Sequence, residues 1–151
     1  MPFVAHAPPM PPAREACISA AAAYYSAAGD PVSSVGLGDL VRAIIRTEGG
    51  TTGQIVWNKA DKNGHRSYDM GLMQINSSHL GELATLGATR GDVINNECLN
   101  IYVGTWILKR EIASSPSLWT AIGNYNSHTP SYNVAYQHNV WTRLNQLWHG
   151  E

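Results

Sequence analysis

Apolar residues recur at intervals of three and four along most of this chain, and the phase of the recurrence lays out its helices. The clearest run is Leu37, Leu40, Val41, Ile44 and Ile45, which gives one buried face to a helix starting at Leu37. At about 100° per residue, Glu48 falls near the middle of that apolar arc, while Arg42 and Arg46 point elsewhere. Gly49 and Gly50 end the helix, because glycine readily takes the left-handed C-cap conformation and has no side chain to crowd a ligand. Before this lies an alanine-rich helix from Ala13 to Ala28, with Cys17, Ala21, Tyr24, Tyr25 and Ala28 on one face and Gly29 and Pro31 closing it. From Thr51 to Asp69 there is no helical period. Gly53, Asn58, Asp61, Asn63 and Gly64 are turn chemistry, and so long an irregular segment inside a compact domain is usually functional.

GLMQIN (Gly71 to Asn76) alternates too briefly to read as a strand, and Ser77 or Ser78 caps a short helix through Leu83. Asn95 or Asn96 opens a stronger helix on Leu99, Tyr102, Val103, Trp106 and Ile107, which puts Cys98 at its start, within reach of the first helix. Pro116 starts a helix holding Leu118, Ala121, Ile122 and Tyr125. Pro130 starts the last one, with Val134, Gln137, His138, Trp141, Leu144 and Trp148 on one side. Strand signals are sparse, so the expected fold is mainly α, with room for one small β-hairpin between 51 and 76.

A chain of 151 residues with 44% hydrophobic and 14% charged residues is one globular domain, read here as residues 13–151 and as a monomer. Residues 1–12, MPFVAHAPPMPP, are too proline-rich for a helix and too short for a membrane span. Ala5, His6 and Ala7 resemble the small-x-small end of a secretory signal, so the segment reads as a signal-peptide remnant or a disordered N-terminus of a periplasmic or exported protein. Ten Lys and Arg against eleven Asp and Glu leave no basic stripe, which excludes a nucleic-acid partner. Two cysteines, Cys17 and Cys98, show no metal-ligand spacing. An even count in an exported protein suggests a disulfide, worth about 4 kcal/mol by chain entropy; two separate buried thiols are the alternative. The six histidines have no paired ligand spacing, so neither a metal nor a cofactor is expected. Five Trp and seven Tyr beside one Phe suit a cleft that grips an amphipathic ligand such as a sugar. Trp57, Trp119 and Trp148 are platform candidates, with core packing the favoured reading for each.

The chemistry centres on Glu48. A carboxylate at the inner end of a buried stripe loses hydration, which raises its pKa toward what a general acid near neutral pH requires. The plainer reading is a glutamate that snorkels out at a fraying helix end. Gln74 and Asn76 carry donor–acceptor amides suited to hydroxyls and acetamides, unless they only satisfy loop backbone. Splitting a glycosidic bond normally takes two carboxylates, and Asp61, Asp69 and Glu82 are conceivable partners, each better suited to turn hydrogen bonds or solvent.

Three pieces read together are specific: Glu48-Gly49-Gly50, then Tyr68-Asp69-Met70-Gly71-Leu72-Met73-Gln74-Ile75-Asn76, then Asn124-Tyr125-Asn126-Ser127. Over roughly Cys17 to Trp141 the chain resembles lytic transglycosylases of the goose-lysozyme-like type. It is most similar to the small members attached to conjugation, type IV and type III secretion systems. The resemblance implies a lysozyme-like α domain with a glycan-binding cleft and peptidoglycan strands as substrate. It further implies cleavage of the MurNAc–GlcNAc β-1,4 bond to 1,6-anhydro-MurNAc ends, with components of a secretion or conjugation apparatus as partners. Residue by residue it implies Glu48 as the catalytic acid and base, and Met73, Gln74 and Asn76 as glycan contacts. Tyr125 would orient Glu48, with Asn126 beside it, and a Cys17–Cys98 disulfide is consistent with members of this size. A single acid suffices when the substrate supplies its own nucleophile. Two departures stand out: Gly49 where many members have Ser, and Ser127-His128 where Ala-Gly is usual. A lysozyme-type hydrolase and a non-catalytic wall-binding assembly factor are the alternatives.

Overall fold

The computed structural model describes residues 14–26, 32 and 35–150; the segment 1–12 and its reading as a signal remnant or disordered N-terminus lie outside them. Helix α1 (Arg14–Tyr25) is followed by α2 (Leu37–Glu48). Three short strands come next, β1 (Ile55–Trp57), β2 (Tyr68–Met70) and β3 (Ile75–Asn76), paired antiparallel in that order. A 3₁₀ turn at Ser77–His79 leads into α3 (Leu80–Thr85), α4 (Arg90–Asn95), α5 (Glu97–Ser114), α6 (Leu118–Asn126) and α7 (Pro130–His149).

Local chemistry explains the boundaries. The side chain of Asn96 accepts the Leu99 N–H at the head of α5, and that of Ser117 accepts the Thr120 N–H at the head of α6, whose first residue, Leu118, lies two past the Pro116 start expected from sequence. Pro130 sits in the first turn of α7, where its missing N–H is not needed. Helix α4 escaped the periodic reading because six residues are too few to show a period; its signal is the capping box between Thr89 and Asp92. The expected hairpin is one strand larger, because Gly71 to Gln74 form a turn that folds β3 back onto β2 and pairs Met70 with Ile75.

The core gathers Ile18 of α1, Leu40 and Ile44 of α2, Ile101 and Leu108 of α5, Ile122 of α6 and Leu144 of α7, all fully buried. Every residue of the Leu37–Ile45 stripe is buried, as the pattern expected. Cys17 and Cys98 form a disulfide with Cα atoms 5.4 Å apart, tying α1 to the first turn of α5 across 81 residues.

Helix α7 corrects the expected stripe by one residue. Asn133, Tyr136, Val140 and Leu144 face inward, whereas Val134, Trp141 and Trp148 are 50%, 48% and 45% exposed. Two polar anchors decide the phase. The Asn133 amide donates to the Thr120 carbonyl, to Asn124 Oδ1 and to the Ser127 carbonyl, locking the end of α6; Tyr136 turns toward α2. The displaced tryptophans pack edge-on with Trp119 in a ridge, and Trp148 Nε1 donates to Asp39 Oδ2 at 3.0 Å. Trp57 is also exposed, under the Arg66 guanidinium on the edge strand, so neither Trp57 nor Trp148 packs in the core. Among the described residues no helix is long and apolar enough to cross a membrane.

Candidate active site

Glu48 is the last residue of α2, and the two glycines after it place it at an opening. Gly49 takes the left-handed conformation (φ 64°) and returns its N–H to the Ile45 carbonyl. Gly50 has a different task from the one expected: a Cβ there would overlap the carbonyl oxygens of Gly71 and Leu72. Only glycine lets the Gly71–Gln74 turn lie against the end of α2.

The Glu48 carboxyl is partly buried, and this loss of hydration raises its pKa from an ordinary 4.5 to about 7. The Tyr136 hydroxyl, donating to Oε2 at 2.5 Å, pulls the value down, and the negative charge of Asp69 adds to the rise. Oε1 has no protein partner among the described residues. Because the carbonyl oxygen of a neutral carboxyl is its better acceptor, the bond from Tyr136 to Oε2 favours Oε1 as the oxygen that holds the proton. Tyr136 is buried on α7, its ring stacked on Tyr125 with centroids 6.4 Å apart. Burial, and then the charge of Glu48, hold both phenols well above their ordinary pKa, so both remain donors.

The expectation that Tyr125 orients Glu48 is corrected by this geometry. The Tyr125 hydroxyl donates to the Met73 carbonyl at 2.9 Å, because the last turn of α6 lies over the loop, while α7 brings Tyr136 to the glutamate. Met73 is corrected as well: its side chain is fully buried against Gly104 of α5, where even a Cβ would overlap the sulfur, so it fills core and does not face the cleft. Its N–H donates to Oδ1 of Asn100, a buried α5 side chain whose Nδ2 donates to the carbonyls of Met70 and Val93. Asn100 and Tyr136 are the two positioning residues that the sequence reading missed. Asn100 sits on a buried helix face, where periodicity registers only apolar residues, and Tyr136 was lost with the phase of α7.

A cleft of about 570 Å³ opens at Glu48, and Gln74, Asn76, Tyr125 and Asn126 all line it. Gln74 adopts φ 53°, a left-handed conformation that side chains rarely take, and its Nε2 donates to the Gly71 carbonyl. The Asn76 amide donates to Ser67 and Asp69 and accepts the Ser78 N–H, which holds the hairpin end in shape. Asn126 is exposed at the rim, next to the Ser127-His128 departure, which also lines the cleft. Of the three further carboxylates, only Asp69 reaches this space. Asp61 accepts the backbone N–H groups of Asn63 and His65, and Glu82 pairs with Arg110. The arrangement is a partly buried carboxyl, one oxygen of which accepts from Tyr136, facing a cleft lined by amide, hydroxyl, imidazole and carboxyl side chains.

Residues 32–140 match the Transglycosylase SLT domain. The chain is 33% identical over 119 residues to a peptidoglycan-binding-like protein of Escherichia coli O157:H7, covering 72% of this chain and 71% of that one. It is 31% identical over 85 residues to the invasion protein IagB of Salmonella typhimurium, covering 54% of this chain and 53% of IagB. It is 37% identical over 60 residues to the X polypeptide of Escherichia coli, covering 40% and 36% of the two chains. The domain match runs from Val32 through Val140 and so takes in Glu48, the sheet, the Gly71–Gln74 turn and Tyr136. With this match over most of its length, the chain belongs to the transglycosylase SLT domain family and is a lytic transglycosylase of lysozyme-like fold, an enzyme of peptidoglycan.

Proposed function

We propose that Glu48 is the single catalytic acid and base of this enzyme, that its products carry 1,6-anhydro-MurNAc ends, and that it opens the cell wall locally for a secretion or conjugation apparatus. The observation that carries the reading is the placement of Glu48 at the end of α2, facing the cleft with a carboxyl that ionises only near pH 7. Protonated Glu48 gives its Oε1 proton to the glycosidic oxygen, and the C1–O bond breaks. The substrate's N-acetyl oxygen stabilises the oxocarbenium-like C1. Glu48, now a carboxylate, takes the proton of the sugar's own 6-hydroxyl as O6 bonds to C1, which closes the anhydro ring and restores the acid. No water is consumed. Export to the periplasm follows from where such strands lie, and the likeness to an invasion protein supports the secretion role.

Mass spectrometry of peptidoglycan digested by the purified chain tests this: anhydro ends are expected, and absence of cleavage would leave a wall-binding assembly factor. A second reading rests on one observation, the presence of Asp69 in the same cleft. If Asp69 served an incoming water, the products would carry reducing ends. Asp69→Asn is expected to keep forming anhydro products and to move the alkaline limb of the rate profile to lower pH, since it removes a charge that raises the pKa of Glu48. Reducing ends that vanish in Asp69→Asn would establish the hydrolase instead.

Tyr136→Phe gives a separate check on the acid. Losing the donor frees the glutamate rotamer, and turnover on the acid plateau of the rate profile is expected to fall about tenfold. The bond from Tyr136 lowers the pKa of Glu48, so its removal moves the alkaline limb upward. A limb that stays in place would show that Tyr136 only packs.

A further inference from the structure

The charge of this chain is balanced in number but not in place. Of its ten Lys and Arg, Lys59, Lys62 and Arg66 stand on the turn between β1 and β2, and Arg90 at the head of α4 is held beside them. The one acid of that turn, Asp61, accepts the backbone N–H groups of Asn63 and His65. Arg14, Arg42 and Arg110 each meet a carboxylate. Arg66 and Arg90 are exposed and meet none among the described residues. Both are nevertheless held in place. Trp57 and Tyr68 are partners across the β1–β2 ladder with rings 4.8 Å apart. The Arg66 guanidinium lies over the Trp57 ring and that of Arg90 over the Tyr68 ring, each at 5.2 Å. Each arginine also gives its Nε–H to the protein, Arg66 to the Asn58 carbonyl at 3.1 Å and Arg90 to the Tyr68 hydroxyl at 2.8 Å. Their Nη atoms find no acceptor among the described residues. The row Arg66, Trp57, Tyr68, Arg90 thus carries two planar forks that are oriented and open. A guanidinium whose plane is already fixed loses little further freedom on binding, and a carboxylate matches its Nη pair with two parallel hydrogen bonds. Trp57, 51% exposed between them, adds apolar contact.

The row lies outside the cleft. Side chains alternate along β2, so Tyr68 points away from the face on which Asp69 lines the cleft. The cleft itself is lined by Glu48, Asp69 and Glu111 and by no lysine or arginine, so it repels carboxylates. Peptidoglycan carries its carboxylates on the stem peptides, and the two faces of the small sheet match the two parts of that polymer. We propose that the Arg66, Trp57, Tyr68, Arg90 row is a second binding site, separate from the cleft, for the carboxylates of a stem peptide. A stem of about four residues spans roughly 14 Å when extended, comparable with the three stacking steps between the forks, so one stem reaches both. Because the row faces away from the cleft, that stem belongs to a strand beside the one being cut, and the contact keeps the enzyme on the wall between cuts. The inference needs peptidoglycan as the substrate and nothing of the mechanism at Glu48.

The test reads binding and not turnover. A soluble stem tetrapeptide with free carboxylates and the same peptide with its carboxylates amidated are titrated into the full chain by calorimetry. The free form is expected to bind about tenfold tighter, the scale of a charge-assisted hydrogen bond. Its affinity should be the same when the cleft has first been filled with peptide-free glycan. In the double variant Arg66→Gln, Arg90→Gln the ratio between the two peptides falls to within about twofold of one. Each ratio is taken within one protein, so any loss of folded fraction cancels. Equal affinity for both peptides, no binding of the free form at millimolar concentration, a ratio that survives the double variant, or displacement by the glycan overturns the proposal. Vesicles containing phosphatidylglycerol probe the other anionic surface. If the parent sediments with them, the double variant does not, and neither binds the stem, the row is a phospholipid site and the stem is overturned. A chain that binds the stem as expected but cuts no strand keeps this site and counts against the catalytic reading.

Discussion

Glu48→Gln stops strand cleavage: turnover falls at least about 100-fold, the scale of losing general acid catalysis, while the fold stays intact. Gln keeps the size of the side chain and a partner for the Tyr136 hydroxyl, and removes only the transferable proton. The parent's rate should be level in mild acid and fall about tenfold per pH unit above pH 7, as the acid ionises. The same residue sets a stability signature of known sign. Its pKa is raised from 4.5 to about 7 on folding, so below pH 4.5 it is neutral in both states and carries no penalty. Between pH 4.5 and 7 the unfolded chain ionises first and stability is lost; above 7 the folded protein bears the poorly hydrated charge in full. Parent and Glu48→Gln should therefore melt alike near pH 4, and the variant should melt higher at pH 8. Release of anhydro ends and thermal unfolding across that range check both limbs. A variant that cleaves at the parent's rate would remove Glu48 from the mechanism.

The second large effect is structural and lies away from the cleft. Asn100→Leu strands three buried backbone groups at once, the Met73 N–H and the carbonyls of Met70 and Val93. At about 1–3 kcal/mol for each unpaired group, the loss is roughly 3 kcal/mol or more, a large share of the 5–15 kcal/mol that holds a domain together. The melting temperature should fall by about 10 °C or more. Asn100→Asp separates hydrogen bonding from packing, since it keeps the acceptor for Met73 but sets a carboxylate against two carbonyl oxygens; it should be at least as damaging as Leu. Calorimetry on both variants tests the order. If either melts within a few degrees of the parent, the loop holds its shape without Asn100.

What the chain determined by itself is local and periodic. The α2 stripe, the position of Glu48 at its inner end and the glycine stop after it all follow from 3.6-residue geometry. The caps at Asn96 and Ser117 follow from side chains reaching their own helix ends, and the turn residues from 51 to 69 marked the irregular lobe. The motif resemblance rested on the same short stretches and brought Gln74, Asn76, Tyr125 and Asn126 to the one cleft.

Tertiary structure decided which neighbour in each stretch does the work. Met73 and Gln74 are adjacent in a turn, and only the approach of α5, with Gly104 leaving room for a sulfur, sends one into the core and leaves the other at the cleft. Two tyrosines lie 11 residues apart on successive helices, and which of them meets Glu48 depends on how α6 and α7 cross the loop and α2. The phase of α7 was set by Asn133 and Tyr136, polar residues whose inward direction is favourable only because partners 88 or fewer residues away are waiting there. Periodicity reads the cost of wetting apolar surface, which each residue carries along the chain; a buried hydrogen bond has its energy only in the pair, and the pair exists only once the chain has folded.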